Sequence, residues 1–265
     1  MTISWTAYRR ARRRSRQAWA ILVVLAVGLV SAVCWFFTAG QFAAAEPPVT
    51  GPSDVPVLDP SWMKPVLPVR AVPEGSAAAA LDTLEVKGRA ANDNYDRTAF
   101  GQAWMDVDRN GCDTRNDILR RDLGGVQFTE GSRCRVAAGQ FHEPYTGAVV
   151  TFTRGAESSK AVQIDHVVAL GDAWQKGARQ LTPQQRQNLA NDPVNLIAAD
   201  GPANQEKSAS DAASWLPKNK AFRCHYVARQ ISVKAAYKLW VTPAEKDAMK
   251  RVLASCPQQR TVVPP

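Results

Sequence analysis

Apolar and polar positions change rhythm several times along this chain. "AWAILVVLAVGLVSAVCWFF" at 18–37 runs twenty residues without a charge, long enough to cross a bilayer core as a helix. "VQFTE" at 126–130 and "AVVTFTR" at 148–154 alternate apolar with polar residues, the period of half-buried strands. "AVQIDHVV" has strand character from Val162 to Val168, and "PVNLIAA" is a short apolar strand bounded by Pro193 and by "DGP" at 200–202. Helical composition or spacing marks "LDTLEVKGRA", "NDILRRDL", "ANQEKSASDAASW" and "CHYVARQISVKAAYKLW". Thr182-Pro183 and Thr242-Pro243 each supply an N-cap followed by proline at the first helical position, and Glu245 completes a capping box with Thr242. Strand, insertion, strand, helix and further helices predict an α+β fold, with a small strand-containing part in front.

Residues 46–73 hold eight of the 17 prolines. That density precludes helix and central strand and favours an extended, semi-rigid spacer. The expected organisation is a basic cytoplasmic tail at 1–17, a transmembrane anchor or signal segment at 18–38, and a proline-rich linker at 39–80. A folded domain at 81–257 and a C-terminal tail at 258–265 follow. Six arginines and no acid precede the apolar segment, so the remainder is expected outside the cytoplasm. "FAAAE", with Ala43 and Ala45 before Glu46, also fits cleavage as a signal peptide. Both readings make the protein extracytoplasmic, either secreted or tethered to the outer face of the membrane.

The formal charge of +9 is dominated by those leading arginines; residues 81–257 carry 24 Lys and Arg against 20 Asp and Glu. This mild excess is compatible with a polyanionic partner without pointing to one. Cysteine says more. Besides Cys34, four remain: Cys112, Cys134, Cys224 and Cys256. An even set in an exported domain reads as two disulfides. Three connectivities exist, and Cys112–Cys134 with Cys224–Cys256 is favoured because each closes a local loop. A four-cysteine zinc site competes, but the sequence holds no CxxC pair.

Chemistry concentrates at "IDHVVAL". Apolar segments seldom take up Asp165 and His166 unless those groups find partners. Two short strands followed by a helix can turn Asp165 and His166 toward that helix's first turn, where Asn204 sits. One carboxylate and one amide oxygen suit a hard divalent cation, and the adjacent imidazole can accept a proton from water. Asn195, on the second strand, can orient the imidazole or the loop carrying it. His142 and His225 lie outside this set and read as structural or surface residues. Trp104, Trp174, Trp215 and Trp240 read as core.

"IDHVVAL…NDPVNLIAADGPANQEKS" resembles the ββα-metal core of HNH nucleases in an Asp-His…Asn…Asn variant. "FGQAWMDVDRNGCDTRNDIL", "PYTG" and "CHYVARQISVKAAYKLWVTPAE" extend the likeness to exported HNH endonuclease family proteins of actinobacteria, over about 95–255. Glu143 stands where many relatives have Asp before "PYTG". The resemblance implies His166 as general base, Asp165 and Asn204 as metal ligands, and Asn195 as the structural or orienting asparagine. Mg²⁺ is the implied ion, with Mn²⁺ compatible, because the first motif position is Asp and not His. Lys207 and Arg115 are candidates for backbone phosphates. The expectation is a metal-dependent endonuclease hydrolysing phosphodiester bonds outside the cytoplasm. It would act as a monomer on nucleic acid, DNA ahead of RNA, and would contact the membrane only if the leading segment is uncleaved. The competing expectation is a non-catalytic, disulfide-stabilised binding module of the cell envelope, which leaves Asp165, His166 and the two asparagines unexplained.

Overall fold

The computed structural model describes Pro68, Ala71 and residues 74–263. The tail at 1–17, the apolar segment at 18–38 and most of the linker lie outside these residues. Among the described residues, no helix is long and apolar enough to cross a membrane.

Helix α1 (Ala77–Asp82) opens the fold, four residues earlier than "LDTLEVKGRA" suggested, because Ser76 caps it and the alanine run buries Ala77 and Ala80 beside Leu81. The packed region also runs past residue 257: Arg260 bridges to Ser76, and Val262 is buried while its N–H donates to Ser232 Oγ. Helix α2 (Thr114–Asp122) is capped by Asp113 and leads into a three-stranded antiparallel sheet of β1 (Leu123–Phe128), β2 (Val136–His142) and β3 (Val149–Thr153).

A short α3 (Ala156–Ala161) precedes β4 (Val162–His166), which pairs antiparallel with β5 (Leu196–Asp200) in register Asp165↔Ile197 and His166↔Leu196. Between these strands lie α4 (Leu170–Gln175) and α5 (Pro183–Asn191), the latter with a complete Thr182–Gln185 capping box. Helix α6 (Gly201–Lys207) follows β5 directly. Asp200 caps it by accepting from Ala203 N at 2.8 Å, and Pro202 sits in its first turn. Gly201 is required there: a Cβ would lie 2.0 Å from the Lys160 carbonyl oxygen. This close approach lets α6 fold back onto β4, making a hairpin-plus-helix unit. The helix is shorter than "ANQEKSASDAASW" suggested. Ser208 takes a positive φ of 48°, and the Asp211 carboxylate is drawn to Lys176 and Arg89 while accepting from Ala213 N, which breaks helical continuity.

Helices α7 (Arg223–Ala236) and α8 (Pro243–Leu253) complete the fold. Alternation along β4 and β5 divides the core in two. Ile164, Leu196 and Ala198 pack with α2 and the three-stranded sheet, whereas Ile197 and Ala199 join the helical core of α1, α4, α7 and α8. Both favoured disulfides form, Cys112–Cys134 and Cys224–Cys256. Each contributes on the order of 3 kcal/mol in the loop-entropy picture.

Candidate active site

Adjacent residues on a strand face opposite ways, and the end of β4 follows this rule. Asp165 shares a face with Gln163 and looks toward α6; His166 shares a face with Ile164 and looks toward the loop at 97–104.

The α6 side is a polar seam with two rungs. Lys207 Nζ stands 3.0 Å from Asp165 Oδ1, and Asn204 Nδ2 stands 2.7 Å from Gln163 Oε1. Three residues separate the partners on the helix and two separate them on the strand, so the rungs are neighbours. Tyr145 closes the other carboxylate oxygen, donating to Asp165 Oδ2 at 2.6 Å. Burial raises the Asp165 pKa, and Lys207 and Tyr145 oppose it; burial likewise keeps the Tyr145 phenol protonated as a donor. Lys207 also donates to the His166 carbonyl at 2.8 Å. It is fully buried, whereas its place three residues after Asn204 had offered it to a backbone phosphate. Arg115 donates to the Val162 carbonyl at the opposite end of β4 from His166, about 13 Å of strand away. The structure therefore does not bring Arg115 beside the imidazole.

On the other face, His166 lines a cleft of about 280 Å³ together with Arg97, Phe100, Trp104, Ala190 and Asn191. Its Nε2 lies 2.9 Å from the Ala190 carbonyl. A carbonyl only accepts, so Nε2 carries the proton and Nδ1 is left as the acceptor. Burial lowers the imidazole pKa to about 3, with Arg97 and Lys207 contributing, so the ring is neutral. Asn191 is buried, and among the described residues its Oδ1 has no hydrogen-bond partner. Trp104, read from sequence as core, packs partly against the sheet but also lines this cleft, at a positive φ of 59°.

Asn195 connects the two sides. Fully buried, it accepts from Val168 N at 2.9 Å and donates to the carbonyls of Leu189 and Val168 at 3.1 and 3.4 Å. It thus grips the segment leaving His166 and the residue before Ala190. Arg121 and Arg229 hold the preceding turn through the Pro193 and Leu196 carbonyls. His142 is exposed and His225 lines no part of the cleft.

Sequence reasoning missed Tyr145, Gln163 and Asn191. Gln163 was accessible in principle, since it stands two residues before Asp165 on the same strand. Glu143 organises Tyr145: its Oε1 accepts from Tyr145 N and Asp200 N at 2.8 and 3.1 Å, tying the turn to the end of β5.

A β-hairpin carrying an Asp-His pair, backed by a helix that begins where the second strand ends, defines a ββα unit. Residues 113–252 match the model of GmrSD restriction endonucleases, C-terminal domain, and the chain belongs to that family. It is 39% identical over 188 residues to an "Uncharacterized secreted protein" of Arthroderma benhamiae, covering 70% of this chain and 87% of that protein. No solved structure matches.

Proposed function

We infer that this protein is an endonuclease of the HNH type, hydrolysing phosphodiester bonds of nucleic acid, DNA ahead of RNA. The observation that carries the reading is the His166 imidazole. It is neutral, fixed through Nε2 to a backbone carbonyl, and borders an open cleft within a ββα unit. In this mechanism Nδ1 takes the proton of a water whose oxygen bonds to phosphorus, while the bond from phosphorus to the 3′-oxygen breaks. Arg97 meets the phosphate, whose negative charge offsets Arg97 and raises the basicity of the ring in the complex. Asn195 is a positioning residue, because its contacts are to backbone on either side of the imidazole and its acceptor.

The β4–α6 seam offers oxygens of the kind a divalent cation takes, a carboxylate and neighbouring amide groups, but both Asp165 oxygens are already held, one by Lys207 and one by Tyr145. Asp165 and Asn204 would hold Mg²⁺ or Mn²⁺ there, with Lys207 releasing Asp165 Oδ1. Such an ion would supply positive charge to phosphate oxygens reaching the α6 face of β4, opposite the cleft that His166 lines.

Two disulfides fit an oxidising compartment. With the secreted relative, they support action outside the cytoplasm; in this reading residues 18–38 act as signal or anchor and the protein works as a monomer. Nicking of supercoiled plasmid by the oxidised protein in Mg²⁺, abolished by EDTA, supports the reading; an inert, well-folded protein under these conditions rejects it.

A further inference from the structure

The segment before α2 reads Asp106-Val-Asp108-Arg-Asn110-Gly111-Cys112-Asp113-Thr114-Arg115-Asn116-Asp117. Oxygen-bearing residues stand at positions 1, 3, 5 and 12 and glycine at position 6, the spacing of a twelve-residue calcium loop, with Asp in place of the usual terminal Glu. Most of it lies ahead of residues 113–252, which the family model matches. The His166 mechanism uses none of its acids.

The fold wraps this segment around Asn110. Asn110 N is 3.1 Å from both Asp106 Oδ1 and Asp108 Oδ1, while its Nδ2 is 3.1 Å from Asp108 Oδ2 and 3.0 Å from Asp117 Oδ2. Gly111 turns at a φ of +89° and donates to Asp106 Oδ2 at 2.9 Å. The independent observation is Asp117. It sits in the first turn of α2, is only 4% exposed, and points back at Asn110. Its side chain takes one hydrogen bond, on Oδ2, and among the described residues neither Asp117 nor Asp106 forms an ion pair. Burying a carboxylate with no counter-charge is costly, and here other carboxylates crowd it. Among the described residues, no three acidic side chains already close on one point as metal ligands. The Asn110 amide nitrogen stands between Asp108 and Asp117 instead, a donor with partial positive charge where a cation is called for.

We propose that residues 106–117 bind one Ca²⁺ through Asp106, Asp108, Asn110, the Cys112 carbonyl and Asp117. On binding, Asn110 turns its amide oxygen inward and Asp117 is compensated. The Cys112–Cys134 disulfide anchors the loop to the β1–β2 turn, and Trp104, which lines the His166 cleft, lies two residues upstream. The ion therefore fixes one wall of that cleft as well as the start of α2. Affinity belongs in the weak range of extracellular modules, about 10⁻⁴–10⁻³ M.

The test is calorimetric titration of CaCl₂ into the full-length oxidised protein, with melting curves in 10 mM CaCl₂ and in EDTA; neither readout involves cleavage. The expected results are one site and a rise in Tm of roughly 3–10 °C. Asp117→Asn should melt higher than wild type in EDTA, because like-charge crowding is relieved, yet lose the Ca²⁺ shift. Asp106→Asn should also lose the shift, while Asp165→Asn should keep it. Absence of a Ca²⁺ shift in the wild type overturns the proposal. So does a full shift in both loop variants, or a shift lost only in Asp165→Asn.

Discussion

Asn195 holds Val168 by both ends of its amide, accepting from the backbone N–H at 2.9 Å and donating to the carbonyl at 3.4 Å. The same NH₂ group reaches the Leu189 carbonyl at 3.1 Å, next to the carbonyl that receives His166 Nε2. The asparagine thus sets the imidazole without touching it. Asn195→Ala leaves these buried backbone groups unpaired and should cost about 2–4 kcal/mol of stability. It should also lower kcat at least tenfold with KM little changed, because geometry and not binding is lost. Denaturant titration alongside steady-state cleavage of one oligonucleotide checks both; a variant that is destabilised but turns over normally removes Asn195 from the site.

Lys207 and Asp165 form a buried pair at 3.0 Å. Removing one partner of such a pair typically costs about 3–5 kcal/mol, so Lys207→Met should be destabilised by that order in EDTA. If Asp165 is a metal ligand, Mg²⁺ should return part of the loss by occupying the vacated place, and urea melts at increasing Mg²⁺ report it. Full loss independent of Mg²⁺ argues against a cation at Asp165.

A third expectation concerns acid. Asp211 is held by Lys176 Nζ at 2.7 Å and Arg89 Nη2 at 2.6 Å. Burial acts to raise its pKa, but these cations prevail and lower it to about 2. A carboxyl whose folded pKa lies below its unfolded value binds fewer protons when folded, so its stabilisation is complete above about pH 4. It is lost as pH falls toward 2. Asp211→Asn should flatten the stability profile across that window while lowering the plateau above it. An unchanged slope between pH 4 and 2 shows the network to be insensitive to this group.

Much of this architecture was legible because its signals are local. Thr-Pro starts mark α5 and α8, alternation marks β3, and Asp200-Gly201-Pro202 ends β5 and launches α6. The disulfide pairing followed from short loops. Strand β2, "VAAGQFH", was not legible, since its alanines and Gly139 carry little strand pattern and it is fixed by pairing on both sides. Nor was the buried state of Lys207, which depends on α6 folding back at Gly201 and on Tyr145 arriving from a distant turn. Asp165 and His166 were correctly singled out as partnered groups. Their separation onto opposite faces follows from strand alternation, which a motif read as a unit conceals.

The central claim is that the His166 ring takes a proton from the attacking water. Single-turnover cleavage of a labelled duplex in Mg²⁺ measures it most directly, comparing wild type with His166→Ala at matched folding and matched substrate affinity. The account predicts a rate lower by about 10²–10⁴-fold in the variant. Equal rates in the two proteins contradict it.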